Sequence, residues 1–89
     1  TETSAHLALL LAIVSSFRDQ SLPKDLVVFG EVGLAGEIRP VPGGQERLQE
    51  AAKHGFSRAI VPKANLPKNK IAGLEVVGVS KIAQALDAI

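Results

Sequence analysis

The sequence predicts one small domain that mixes helices and strands. A helical face is indicated by apolar residues spaced three and four apart, at Leu7, Leu10, Leu11 and Val14. The run 26–29 is short, apolar and rich in β-branched residues, which is typical of a strand. Glycines recur through residues 30–36, as expected of a bulged hairpin whose backbone needs positive φ angles or close approach. These three observations predict a helix followed by a hairpin.

The first helix is expected to end around residues 18–20. Good N-cap residue types, Thr1, Thr3 and Ser4, precede it, and Glu2 suits the positive end of the helix dipole. A second apolar set, Leu9, Ile13 and Phe17, lies on the opposite side of the helix. The helix is therefore expected to be buried on several sides. The predicted strands are too few to bury it. This mismatch suggests a fragment whose upstream strands are missing.

Four further elements and a loop are predicted between residues 37 and 79. Residues 37–41 alternate polar and apolar, but Pro40 cannot donate to a ladder, so this second strand is expected at an edge or ends there. The remaining elements are a helix over 45–54, a strand over 58–62, a loop over 63–73 and a strand over 74–79. The segment 37–61, a predicted strand, helix and strand, is expected to form a right-handed crossover between two parallel strands.

The last helix is predicted to begin after Ser80, which acts as its cap. Its inner face is expected to hold Ile82, Leu86 and Ile89, because they lie at positions i, i+4 and i+7.

Composition excludes several classes of function. The 89 residues include no cysteine, which excludes disulfides and thiolate metal sites. His6 and His54 are far apart and lie in no motif with metal spacing, so no cofactor is expected in this domain. The net charge of +1 is too balanced to argue for a nucleic-acid partner from composition. With aromatics at only 3%, the core must consist of Leu, Ile, Val and Ala.

No membrane partner is expected. The apolar run 5–14 is interrupted only by His6 and has about ten residues, whereas a bilayer span needs roughly 20. It also lacks the basic leader and cleavage site of a signal peptide. A cytoplasmic protein follows as the default expectation.

Four segments carry a family resemblance: 26–42, 44–47, 50–56 and 58–65. Together they are similar to the C-terminal domain of the RadA (Sms) family of bacterial DNA repair proteins, and more distantly to the Lon peptidase domain. The resemblance covers essentially the whole chain. It implies an α+β fold of the ribosomal protein S5 domain 2-like (Lon protease domain-like) type, which usually begins with strands upstream of the first helix. Residues 1–89 are therefore expected to be a Lon-like C-terminal domain within a larger protein.

The resemblance also implies a function. Family members are ATP-driven motors that act on branched DNA in recombination and repair, and the full-length protein is expected to be a DNA-dependent ATPase that forms a hexameric ring. The Lon-like domain is expected to scaffold the ring and contact DNA. Zinc, ATP and Mg are expected only in modules outside this chain, because the chain has no cysteine and no phosphate-loop motif.

A Ser–Lys dyad is the chemistry that the distant Lon resemblance implies. It places Ser4 at the nucleophile position and Gln45 where the catalytic lysine stands. A carboxamide cannot take a proton from serine at neutral pH, so no peptidase activity is expected. His6 points roughly 200° round the helix from Ser4, and Lys53 lies about 12 Å along its helix from residue 45, so neither replaces the base.

Two alternatives stay open at this point. The chain is then either a Lon-like serine peptidase with an unrecognised base, or a relic that binds a partner peptide in the old substrate groove. The plainer interpretation of Ser4 itself is a helix cap or a first-turn residue.

Basic side chains around the second helix are the candidates for DNA contact, namely Arg39, Arg47, Lys53, Arg58 and Lys63, with His54 beside them. The alternative is a solvated face with ion pairs, for example between Glu46 or Glu50 and Lys53. The loop lysines, Lys63, Lys68 and Lys70, are a second candidate. Phe17, Phe29 and Phe56 lie in apolar contexts, so base stacking is not expected.

The hairpin glutamates Glu31 and Glu37 are expected to be structural. One is predicted to orient the hairpin and one to pair with Arg39 or with a neighbouring subunit.

Overall fold

The computed structural model describes residues 3–89. Thr1 and Glu2, with the roles expected of them at the helix start, lie outside this range. The elements are α1 (His6–Phe17), β1 (Leu26–Val28), β2 (Glu31–Val32), β3 (Ile38–Arg39), α2 (Gly44–Lys53), β4 (Arg58–Pro62), β5 (Glu75–Val79) and α3 (Ile82–Asp87). Short 3₁₀ turns cover Thr3–Ala5 and Lys63–Asn65. The predicted mixture of helices and strands is confirmed.

Three parallel strands form the main sheet in the order β1-β4-β5. Leu26 pairs with Arg58, and Arg58 pairs with Glu75 on its other side. Strands β2 and β3 form a separate antiparallel hairpin in which Glu31 lies opposite Arg39. The sheet is parallel and has helices on both faces, so its strands are apolar in sequence rather than alternating.

Successive side chains of the sheet enter two different cores, because a strand points alternate residues to opposite faces. Ile60 packs with Leu7 and Leu11 of α1 and with Ala85 of α3. The second core contains Phe29, Val41, Leu48, Ala59, Val61 and Leu74. Helices α1 and α3 therefore cover one face of the sheet, and α2 covers the other.

The predicted crossover over 37–61 is wrong. Strand β3 pairs with β2 in the hairpin, and β4 pairs instead with β1. Pro40 follows β3 directly, so this strand has only two residues and cannot extend a ladder. The run Leu26–Val28 contributes residues to both cores, which is the requirement for a strand inside a covered parallel sheet.

The start of α1 is tied to the end of β1 rather than capped by a side chain. The residue at the N-cap is Ala5, and no side-chain hydrogen bond caps this helix. Instead, the Leu7 N–H donates to the Gly30 carbonyl at 3.0 Å, and the Gly30 N–H donates to the Ser4 carbonyl at 2.8 Å. The expectation that Thr3 or Ser4 is the N-cap residue is therefore wrong, and the backbone of Gly30 satisfies a helix-end donor that a cap would otherwise satisfy.

The outer face of α1 is exposed among residues 3–89. Leu9, Ile13 and Phe17 keep 63%, 46% and 88% of their surface accessible, although Leu7 and Leu11 on the inner face are fully buried. Burial on several sides is thus not observed in the described part of the chain. The helix ends at Phe17, just before the predicted boundary.

Helix α3 differs from expectation at both ends. Its N-cap is Lys81, and the Gln84 side chain reaches back to accept from the Ser80 N–H at 2.7 Å, so Ser80 is not the cap. Ala85 is its fully buried residue, whereas Ile89 lies beyond the helix and is exposed. Of the helices within residues 3–89, none is long and apolar enough to cross a membrane.

We expect Gly30→Ala to lower the free energy of unfolding by about 3 kcal/mol. Gly30 has φ of 152°, and an added Cβ would lie 3.2–3.3 Å from Ile38, Leu7 and Pro62. Urea-induced unfolding measures the loss. The control is Gly55→Ala, which shares a positive φ of 88° but has open space around its Cβ. It should cost about 1 kcal/mol, and equal losses in the two variants would contradict the tight contact at Gly30.

Candidate functional site at the carboxyl ends of the parallel strands

The carboxyl ends of β1, β4 and β5 meet at one edge of the sheet because the strands are parallel. We call this the carboxyl edge, defined by Val28, Pro62 and Val79. The hairpin, the 3₁₀ turn after β4 and the start of α2 lie along it. Open α/β sheets bind their ligands at this kind of edge.

Asn65 clamps the start of α2 to the end of β4. Its Nδ2 donates to the Val41 carbonyl at 3.0 Å, and its Oδ1 accepts from the Val41 N–H at 2.9 Å. Gly44 is the first residue of α2, and a Cβ added to it would lie only 2.6 Å from Asn65 Nδ2. One amide side chain therefore completes both backbone hydrogen bonds of Val41 and leaves room only for glycine at position 44.

A cavity of about 220 Å³ opens beside this clamp. Residues 41 and 43–46 line one side of it, and residues 64–66 line the other. Gln45 is exposed at the first turn of α2 and forms part of the lining. Ser4 is only 4% exposed, lies in the 3₁₀ turn bonded to Gly30, and is not part of the lining of this cavity within the described chain.

The residues considered as substitute bases lie elsewhere. His6 is an exposed residue of the first turn of α1. Lys53 is the last residue of α2, a helix of ten residues that spans about 15 Å. Lys53 and Gln45 lie at opposite ends of α2, so the lysine cannot reach the position of Gln45.

Arg39 is held by both hairpin glutamates. Its Nη2 lies 2.8 Å from Glu37 Oε2, and its Nη1 lies 3.5 Å from Glu31 Oε1. The pKa of Glu37 is lowered by a hydrogen bond from its own backbone N–H and then by Arg39. The pKa of Arg39 is raised, chiefly by its hydrogen bond to Glu37. The predicted pairing of a hairpin glutamate with Arg39 is confirmed.

Arg58 lies at the opposite end of the sheet, at the start of β4. Its Nε is 3.3 Å from Glu75 Oε1, and its Nη2 donates to the Ala88 carbonyl at 3.0 Å. The guanidinium thus joins β4 to β5 and to the chain after α3. Nearby, a hydrogen bond from Ser57 is the main cause that lowers the pKa of Asp25, to which the Arg58 charge also contributes.

The other three basic residues have different surroundings. The Arg47 guanidinium lies 5.8 Å from the centre of the Phe29 ring, within cation–π range. Lys53 lies 4.0 Å from Glu50, the ion pair expected at helical spacing, and His54 Nε2 is 3.3 Å from the same carboxylate. Lys63 is exposed and makes no ion pair with any residue of the range 3–89.

The five predicted DNA-contact residues therefore do not form one patch. Arg39, Arg47 and Lys63 lie toward the carboxyl edge, and Lys53 and Arg58 lie at the amino end of the sheet. The described residues contain no group of three His, Asp or Glu side chains suited to a metal ion. Sequence reasoning missed the Asn65 clamp, because its partner is 24 residues away and no local pattern indicates it.

Comparison with known proteins gives a consistent result. A family model described as the Lon protease (S16) C-terminal proteolytic domain matches residues 2–89. The chain is 72% identical over 86 residues to the DNA repair protein RadA of Escherichia coli (strain K12), and 74% identical over 86 residues to that of Salmonella typhimurium. These matches cover 97% of the chain. The RadA protein of Pseudomonas aeruginosa is 62% identical over 88 residues, which is 99% of the chain.

The chain spans 19% of the length of each of these relatives. The resemblance inferred from the sequence is confirmed.

We expect Asn65→Asp to destabilise the fold by about 1–3 kcal/mol, because it leaves the Val41 carbonyl facing an oxygen instead of a donor. The Val41 N–H keeps its acceptor in this variant. The measurement is the midpoint of urea-induced unfolding, compared while the slope of the unfolding free energy against urea concentration stays unchanged. Asn69→Asp makes the same chemical change at an exposed loop position and serves as the control. Losses of the same size in both variants would rule out the clamp.

Proposed function

This chain belongs to the family of the Lon protease (S16) C-terminal proteolytic domain, and we propose that it is a non-catalytic member that provides oligomerisation and DNA contact to a larger DNA repair protein. Relatives named DNA repair protein RadA, which match 97% of the chain, support the repair role. Because the chain spans 19% of those relatives, the whole protein's activity is part of the proposal. That activity is ATP-dependent work on branched DNA by a hexameric ring in the cytoplasm.

Gln45 is the observation that carries the absence of catalysis. It is exposed at the start of α2, where the resemblance expects the catalytic lysine. Its carboxamide cannot act as a general base, and such a base contributes about 10²–10⁴-fold to rate. Ser4 adds a second obstacle, because a nucleophile must be reachable and this residue is 4% exposed. Incubation with casein tests the alternative, a Lon-like serine peptidase with an unrecognised base.

DNA contact is proposed at the carboxyl edge. Lys63 is exposed there without an ion pair among residues 3–89, so its full charge is available to a phosphate. Arg47 lies on the first turns of α2, whose N-terminal N–H groups also favour an anion. Arg39 is 55% exposed, but its two glutamate partners offset its charge. Lys63 is therefore proposed to contribute more than Arg39.

The opposite end of the sheet is a weaker candidate. Arg58 already binds Glu75 and the Ala88 carbonyl, and Lys53 shares the Glu50 carboxylate with His54. Replacing these partners by phosphate would cost the existing contacts. The amino end therefore provides matched control positions for a DNA-binding experiment.

Self-association is supported by the exposed face of α1. Three large apolar side chains, Leu9, Ile13 and Phe17, lie on one side of this helix and remain accessible in residues 3–89. Contiguous exposed apolar surface of this kind marks a contact region more often than a solvated one. We propose that this face is covered in the assembled full-length protein.

Removing Lys63 and Arg47 together is expected to weaken DNA binding by the full-length protein in a salt-dependent manner. Each lost phosphate contact should reduce the slope of log K against log salt by about 0.9 on duplex DNA. Fluorescence anisotropy on a branched duplex across a salt series measures this. The control Lys53→Ala should leave the slope unchanged. A flat salt response of the unmodified protein, or an equal change in the control, would count against contact at the carboxyl edge.

No peptide release is expected when the full-length protein is incubated with unfolded casein and ATP. The missing base and the buried serine both prevent acyl transfer. Release of soluble peptides over time is the measurement. Steady ATP-dependent release that disappears in Ser4→Ala would overturn the non-catalytic assignment.

Charging the outer face of α1 is expected to weaken assembly of the full-length protein. Ile13→Glu with Phe17→Glu places two carboxylates on the apolar face, where burial against a partner would be costly. Sedimentation velocity should show a shift toward smaller species. Leu34→Glu, at a fully exposed hairpin position, is the control and should leave assembly intact. Unchanged assembly in the double variant would contradict the role of this face.

A further inference from the structure

A second and larger cavity adjoins the cavity beside the Asn65 clamp, with which it shares Leu66, and extends along the loop after β4. It has a volume of about 520 Å³ and is formed by the loop 66–71, residues 73–74 and the start of β5. Its apolar walls come from Leu66, Ile71, Leu74 and Val76. Neither Ser4 nor Gln45 is part of its lining in the described chain. We call it the β5 groove.

Strand β5 presents an open edge beside this groove. It is the last strand in the order β1-β4-β5. The Glu75 N–H donates to the Ser57 carbonyl on the β4 side at 2.9 Å, so alternate residues, Val76 and Gly78, point their backbone groups outward. The outward side is confirmed at Ser80, whose carbonyl accepts from the Ile38 N–H of β3 at 2.9 Å.

The outward backbone groups of Val76 and Gly78 have no hydrogen-bond partner of the kind found at Ser80 within residues 3–89. Outside the ladders, no backbone hydrogen bond within residues 3–89 involves either residue. An open strand edge of this kind is a template for pairing with another extended chain. The Leu66 side chain lies against Gly78, where a Cβ would approach it to 2.6 Å, and so forms a wall beside the edge.

The rim of the groove is positively charged. Lys68 and Lys70 are exposed and make no ion pair within the described residues. The carboxylate in the lining, Glu75, lies 3.3 Å from Arg58 and is thus already paired. The uncompensated charge at the groove therefore comes from the two lysines.

We propose that the β5 groove binds an extended peptide segment of a partner protein, in which apolar residues alternate with acidic ones. The segment would add to the sheet along the outward backbone of Val76 and Gly78. Its apolar side chains would enter the groove, and its carboxylates would meet Lys68 and Lys70. The apolar walls and the free backbone groups fit a peptide better than a nucleic-acid backbone, which offers neither apolar side chains nor peptide N–H groups. This binding is additional to the DNA contact proposed at the carboxyl edge.

An array of immobilised eight-residue peptides tests the proposal with the full-length protein. Each peptide alternates one apolar residue type with Asp, Ser or Lys. The Asp series is expected to retain at least about tenfold more protein than the Lys series, because only the Asp side chains attract Lys68 and Lys70 while the backbone pairing is common to both series. Equal retention of the Asp, Ser and Lys series would overturn the proposal.

Two variants identify the groove as the site. Val76→Pro removes an outward N–H without removing a β4 ladder bond, and should reduce retention of Asp peptides about tenfold. Val76→Thr keeps the N–H and is its control. Lys68→Glu with Lys70→Glu, on the exposed loop, should transfer the preference to the Lys series even if the proline variant fails to fold. Arg18→Glu with Lys24→Glu, outside the groove, should keep the Asp preference.

A competition experiment separates peptide from nucleic acid. Duplex DNA that displaces the Asp peptides, together with loss of DNA binding in the Lys68 and Lys70 double variant, would show a phosphate site and overturn the proposal. Retained Asp-peptide binding in the presence of duplex DNA supports it. Because the Lys63 and Arg47 variants act at a different edge, failure of the peptide proposal leaves the DNA-contact test unaffected.

Discussion

The central position of β4 is the constraint on which the rest of the structure depends. Ala59, Ile60 and Val61 are fully buried because β1 and β5 flank the strand and helices cover both of its faces. A strand buried in this way must be apolar throughout, and it divides the interior into two cores. Its parallel pairing also decides where each loop emerges, which places the end of β4 and the start of α2 at the same edge.

That edge is held rigidly, and the role proposed for it is binding rather than catalysis. The Asn65 clamp and the close approach at Gly44 hold the start of α2 in one position, as a catalytic residue on that helix would require. Gln45 lies in the first turn of that helix, and Ser4 lies buried in the turn bonded to Gly30. A rigid edge without a base suits binding better than acyl transfer, because binding needs positioned groups but no proton acceptor.

Strand polarity also separates the charges. Basic side chains that follow α2 in the sequence lie at opposite ends of the sheet. Arg58 contacts Glu75 and the Ala88 carbonyl and so stabilises the fold, whereas Lys63 is exposed and makes no ion pair within residues 3–89. The unpaired edge of β5 and the exposed face of α1 are further surfaces that the described residues leave uncovered. A chain of 89 residues has few residues with which to cover such surfaces.

The sequence by itself determined which residues form helices and strands, because periodicity, β-branching and proline act over a few neighbouring positions. It also determined that residue 45 carries no base. Only the tertiary structure decided that β4 pairs with β1, that Asn65 binds Val41 across 24 residues, and that the basic side chains divide between two edges. These features depend on contacts between distant segments, which no local pattern encodes, and the direction of the strands sets them.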